Sequence, residues 1–180
     1  TMTDEDLVRC NLDGNALEDE KKKPSMEVSF HAWILKSFPE IKCVCHTHPT
    51  NTNKILCSED IIDFANKRLF PDQVVRNGIK SCVVPYATPG ISLREEIKKS
   101  VLEFIVDNGF FPKLILLKNH GIITASTSVQ EAIVSTLMCE KSAEIFIGAK
   151  MLGKIQFLTQ DEIDAVNTHP SEKYRRSLIQ

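Results

Sequence analysis

The spacing of apolar residues changes several times along the chain, and each change marks an element. In "LVRCNLDG", 7–14, apolar and polar residues alternate and the run ends in Asp-Gly, which predicts a strand entering a turn. Pro24 and Ser25 open a stretch to residue 38 in which Val28, Ile34, Leu35 and Phe38 form one stripe, predicting a helix. "IKCVCHTH", 41–48, is rich in β-formers and stops at Pro49, so it reads as a strand. A helix is predicted over 58–69 and a strand over 80–86. A further helix is predicted over 92–109, with Ser92 and Glu95 as a capping box and Asn108-Gly109 as its stop. "LILLKNHGIITA", 114–125, reads as two strands bent at Asn119-His120-Gly121. A long helix follows to residue 153, opened by Ser128 and Glu131. Residues 160–180 are polar and read as helical or tail-like. Interleaved helices and strands predict an α/β fold with helices against a sheet.

With 180 residues the chain is long enough for one domain with a real core. The 22 basic and 24 acidic residues are scattered, and the run "EDEKKK" at 18–23 changes sign halfway. That pattern predicts no nucleic-acid surface and no membrane surface. The longest apolar run, "LILL", is far too short to span a bilayer. The six cysteines include no C-x-x-C pair and sit mostly in apolar runs, the pattern of buried free thiols in a reducing cytoplasm. The chain opens in mid-pattern with "TMTDEDLVRCNLDG", so a preceding segment is expected.

Candidate chemistry concentrates in "CVCHTHPT", 43–50. Strand alternation sends Val44, His46 and His48 to one face and Cys43, Cys45 and Thr47 to the other. The histidines therefore cannot share a metal with the cysteines. Two imidazoles at i and i+2 near a strand end converge on one point, a spacing suited to Zn²⁺. The pair is equally compatible with solvent-facing histidines at a sheet edge. A third donor would decide the matter, and His120 is the candidate: an apolar strand broken by Asn-His-Gly is locally unfavourable unless it serves a site. His31 stands one turn after Glu27 on the first predicted helix, and His169 lies in the polar C-terminal stretch. Three histidines leave zinc an open position, the catalytic pattern, and a carboxylate nearby is the usual partner for proton transfer.

Five segments in order carry a family likeness: "KPSMEVSFH" at 23–31, "VCHTHP" at 44–49, "VPYATPG" at 84–90, "LLKNHGI" at 116–122, and "KSAEIFIGAKMLG" at the end of the long helix. With them the chain resembles the class II aldolase/adducin family, which includes L-fuculose-1-phosphate and L-rhamnulose-1-phosphate aldolases. "LFPDQVV", "FLT" and "EKYRR" look most like the rhamnulose-phosphate branch.

The resemblance implies a three-layer α/β/α sandwich around a mixed, largely antiparallel sheet, forming a single domain over 1–180. It implies His46, His48 and His120 as zinc ligands, Glu27 as catalytic acid/base, and Ser25 and Asn119 as substrate-binding residues. It also implies that Tyr86 reaches a neighbouring subunit's site in a homotetramer. The family's Gly-Asn and Thr-x-x-Gly-like phosphate loops would lie before residue 1, and Met26 stands where the family often has a second serine. The activity so implied is cleavage of a ketose 1-phosphate to dihydroxyacetone phosphate and a small aldehyde through a metal-stabilised enediolate. Epimerisation, dehydration or decarboxylation on the same site is the nearest alternative. A non-catalytic, adducin-like interaction domain is the alternative of another class.

Overall fold

The structure is a computed structural model and describes residues 3, 6–11, 13–17 and 22–170. Four strands form one sheet in the order β1-β4-β3-β2: β1 (Cys43–Thr47), β2 (Cys82–Val84), β3 (Leu114–Leu117) and β4 (Gly121–Ser126). β4 runs antiparallel to both β1 and β3, while β2 runs parallel to β3. The sheet is therefore mixed and largely antiparallel.

Helices cover both faces. On one, α1 (Val28–Ser37) and α5 (Ile91–Asn108) pack Phe30, Ile34, Leu93, Ile97 and Val101 onto Val84, Ile115, Leu117 and Ile123. On the other, α2 (Thr50–Leu56), α3 (Ile61–Asn66) and α6 (Val129–Leu152) pack Leu56, Ile61, Phe64, Cys139 and Phe146 onto Leu114, Leu116 and Ile122. The alternation of strand side chains explains "LILL": Ile115 and Leu117 enter one core, Leu114 and Leu116 the other, and all four are buried. Each such side chain contributes about 1.5–3 kcal/mol of hydrophobic stabilisation. The result is the three-layer α/β/α arrangement.

Some elements differ from expectation. The 7–14 strand is reduced, among the described residues, to a single bridge between Cys10 and Ala16 around a turn. Asn11 Oδ1 accepts bonds from the amides of Asp13 and Asn15 and so closes the turn between the bridged residues. The first helix starts at Val28, with a turn at Met26 and Glu27 before it. The 58–69 helix contracts to α3, which ends at Asn66. The Ser92–Glu95 capping box does not form. Gly90, at φ 105°, reverses the chain and becomes the N-cap, so the helix begins at Ile91 and Ser92 is already inside its first turn.

Ser128 does cap α6 by accepting from the Glu131 amide, but the Glu131 carboxylate turns to Thr127. A complete capping box stands instead at Thr159 and Glu162, opening α7 (Gln160–Thr168). The short helices α2 and α4 (Pro71–Asn77) were not expected. Residues 171–180, including "EKYRR", and most of the charge run at 18–23 lie outside the described residues.

No helix among the described residues is long and apolar enough to cross a membrane. The cysteines are free, and burial pushes the thiols of Cys82 and Cys139 up to about 12, so neither offers a thiolate.

Candidate metal centre

The antiparallel order makes β1, β3 and β2 run in the same direction, and their carboxyl ends share one rim of the sheet. The candidate site sits on that rim. His46 is on β1 opposite Ile123, a residue of the α1/α5 core, and the edge of its ring meets Phe30 at 5.4 Å between centroids. Cys45 lies opposite Thr124, whose hydroxyl donates to the Ala132 carbonyl on α6. The alternation expected from the sequence thus holds, with the histidine on the α1 side and the cysteine on the α6 side.

His48 follows β1 immediately, before Pro49 caps α2. His120 arrives from the turn between β3 and β4. That turn passes through Asn119 at φ 54°, a left-handed conformation asparagine tolerates. It is tied down by the Asn119 amide on the Leu56 carbonyl and the His120 amide on the Leu117 carbonyl. The three rings lie 4.8, 5.0 and 5.1 Å apart between centroids. One donor nitrogen from each can be chosen so that all lie within 4.8 Å of one another.

Glu27 completes the group. It is the N-cap of α1, and its backbone amide donates to Ser25 Oγ at 3.2 Å. Its carboxylate spans two histidines, with Oε1 at 3.1 Å from His120 Nε2 and Oε2 at 3.2 Å from His46 Nε2.

The donor set fits a cation. His46 Nδ1 lies 2.9 Å from the Ile122 carbonyl, which only accepts, so Nδ1 carries the proton and Nε2 holds a lone pair in the neutral ring. That lone pair faces His48 Nε2 at 3.0 Å and a Glu27 oxygen at 3.2 Å. Burial holds His46 below the ordinary histidine value, with its neighbours His120 and His48 acting in the same direction against the Ile122 bond and Glu27. Neutral imidazole is the ligand form, and tetrahedral zinc sites place nitrogen ligands about 3.3 Å apart. A divalent ion among the three nitrogens would relieve the facing lone pairs.

The structure does not bring all the expected residues together. Ser25 is exposed, and its hydroxyl is engaged by the Glu27 amide. Asn119 is exposed at the turn beside His120. Tyr86 stands on the loop after β2, at the far edge of the sheet from β1, and is 62% exposed. It makes no hydrogen bond or ring contact with the histidines. His31 stacks on Phe30 at 4.6 Å and is not one of the three converging donors, while exposed His169 is not among them either.

Two residues that sequence reasoning passed over also support the site. Gly121 leaves room for the His48 ring, and Asn53 on α2 donates from Nδ2 to the His120 carbonyl at 3.1 Å. Gly121 carried a signal in the Asn-His-Gly triplet. Asn53 carried none, because α2 was not foreseen.

Residues 1–147 match the class II aldolase and adducin N-terminal domain. The chain belongs to that family. Over 163 residues it is 33% identical to a 3-oxo-tetronate 4-phosphate decarboxylase of Pectobacterium atrosepticum, covering 88% of this chain and 68% of that one. It is 32% identical over 147 residues to an L-fuculose phosphate aldolase of Methanococcus maripaludis, covering 80% and 71% respectively. The crystal structure of YgbL from Escherichia coli superimposes with a TM-score of 0.76 at 26% identity, covering 93% of this chain and 76% of that one. This member of the class II aldolase and adducin family thus has relatives named for two different ways of breaking a carbon–carbon bond.

Proposed function

We propose that the chain is a metal-dependent lyase that breaks a carbon–carbon bond beside a carbonyl in a small phosphorylated sugar derivative, and that its substrate is a 3-oxo sugar-acid phosphate that it decarboxylates. The observation that carries this reading is the Glu27 carboxylate set between His46 and His120. Zinc is the first choice for a three-imidazole set, held by His46, His48 and His120. When bound, such an ion supplies Lewis-acid polarisation of the substrate carbonyl and stabilises negative charge on its oxygen.

This chain's own residues do the rest. Loss of CO₂ from a 3-oxo acid leaves the bonding electrons on the adjacent carbon and needs no proton on the departing group. One proton must then reach that carbon, and we assign its delivery to the Glu27 carboxyl. By atom count, 3-oxo-tetronate 4-phosphate without CO₂ is dihydroxyacetone phosphate.

Aldol cleavage of a ketose 1-phosphate, the second reading, leaves the same three-carbon fragment at the same place. It needs in addition a group to take the proton from the hydroxyl whose carbon becomes the aldehyde as the carbon–carbon bond breaks. The family resemblance gives that role to Tyr86 from a neighbouring subunit of a homo-oligomer, the tetramer being the expected form. The likeness to a decarboxylase reaches 33% identity over 163 residues, against 32% over 147 for the fuculose phosphate aldolase, and this favours decarboxylation. Ser25 and Asn119 flank Glu27 and His120 and are proposed to meet the substrate.

The test is an assay of zinc-loaded protein on 3-oxo-tetronate 4-phosphate and on a panel of ketose 1-phosphates, following CO₂ and aldehyde separately. CO₂ release supports the first reading and aldehyde release the second. Neither product from folded, metal-loaded protein would sink both.

A further inference from the structure

Helix α2 follows His48 in the chain, touches the His120 turn through Asn53, and is held at its start from across the fold. Glu140, on α6, accepts from the backbone amides of Asn51 and Thr52 at 2.9 Å each, and from the Thr52 hydroxyl at 2.9 Å. Burial alone would raise its carboxyl, yet these bonds hold it below the usual glutamate value. The carboxylate thus fills amides that the first turn of the helix leaves open. The clamped turn begins two residues after His48 and contains Asn53, whose amide nitrogen bonds the His120 carbonyl.

That carbonyl can only accept, so the Asn53 nitrogen faces it and Oδ1 is the free end of the amide. Asn53 Oδ1 is buried without a partner, and so is His120 Nδ1. A cation on His120 Nε2 obliges Nδ1 to carry the ring proton, and metal-ligating histidines nearly always donate that proton to an oxygen. His46 already does so, to Ile122.

We infer that Asn53 is the positioning residue of His120, holding its backbone and accepting a hydrogen bond from its Nδ1–H when the site is charged, and that Glu140 sets Asn53 in place by anchoring α2. The inference rests on the reading of His46, His48 and His120 as a metal site. Glu140 also fixes the chain just after His48, so one carboxylate on α6 disciplines two of the three donors.

The test is metal affinity by chelator competition, together with the visible spectrum of the cobalt-substituted protein. The proteins are wild type, Asn53→Ala, Glu140→Gln, Glu144→Ala as an exposed control on the same helix, His120→Ala, and Asn53→Ala combined with His120→Ala. Thermal unfolding of each metal-free protein accompanies them. Asn53→Ala should weaken cobalt and zinc binding about 10- to 100-fold and shift the cobalt bands. Glu140→Gln should weaken binding in the same direction, and Glu144→Ala should not. In the His120→Ala background the Asn53 change should have no further effect, which a loss of general stability would not reproduce. Wild-type affinity and spectrum in Asn53→Ala would overturn the inference while leaving the metal site standing. No metal uptake by wild type would overturn the metal reading and this inference with it.

Discussion

Gly121 lies directly against the His48 ring: a Cβ placed on it would meet His48 Cδ2 at 2.3 Å and the Thr47 carbonyl at 2.6 Å. The first residue of β4 therefore sets the distance between two metal-ligand candidates that come from separate parts of the chain. Gly121→Ala should push the His48 ring outwards and strain the end of β1. We expect at least a tenfold loss of metal affinity and about 1–3 kcal/mol of destabilisation, the usual cost of overpacking. Chelator competition and urea denaturation measure the two, and an alanine variant with unchanged affinity would show that the ring moves freely.

Glu27→Gln should retain metal and fold but lose turnover by about 10²–10⁴-fold, because the amide keeps the shape and removes the titrating group. Steady-state rates on whichever substrate is turned over provide the check. Full activity in the Glu27→Gln variant would move the proton transfer to another residue.

Cys45→Ala and Cys43→Ala should leave metal content unchanged, since Cys45 shares its face with Thr124 and α6 rather than with His46. His46→Ala and His48→Ala should abolish stoichiometric binding. Elemental analysis of the purified variants decides, and loss of metal from the cysteine variants alone would contradict the strand register.

Acid should weaken the contact between Glu131 and the β4–α6 junction. Burial tends to raise this carboxyl, but Lys113 at 3.6 Å and the hydroxyl and amide of Thr127 outweigh it and hold it below 4.5. A lowered folded value means stability that is present above the unfolded value and is lost as pH falls through the folded one. The stability gap between wild type and Glu131→Gln should therefore be open at pH 7 and close as pH drops below about 4.5. Denaturant midpoints across that range measure it, and a gap that widens in acid would reverse the assignment.

Tyr86→Phe should change stability by less than about 0.5 kcal/mol, because the ring is 62% exposed. If aldol chemistry operates across subunits, mixed oligomers of Tyr86→Phe and His48→Ala should regain part of the activity that each lacks alone. Verified mixed oligomers without rescue would remove the tyrosine from the neighbour's site.

Much of this was legible in the chain because the informative features are local. Strand alternation alone separated His46 from Cys45, and the Asn-His-Gly break in an apolar run marked the β3–β4 turn. What escaped depends on distant contacts. α2 and α4 are seven residues each, too short for a periodic signal, and are held by packing and by residues such as Glu140 far along the chain. The Ser92 capping motif was present in sequence but was displaced by a glycine two residues earlier. His31 one turn after Glu27 was legible, but not that Glu27 stands at the helix entrance with its carboxylate on His46 and His120.

The sheet order has a bearing on how the protein comes to exist. β1 pairs with β4, which the ribosome delivers only after four helices and two other strands. Until then a nascent chain carries His46 on, and His48 just after, a strand whose partner has not been made, and His120 has not yet reached its turn. An ion bound by these histidines would not serve as an early template; it would only reward a chain that has already closed the long loop between β1 and β4. Metal uptake during refolding should therefore lag behind helix formation and keep pace with the last cooperative step.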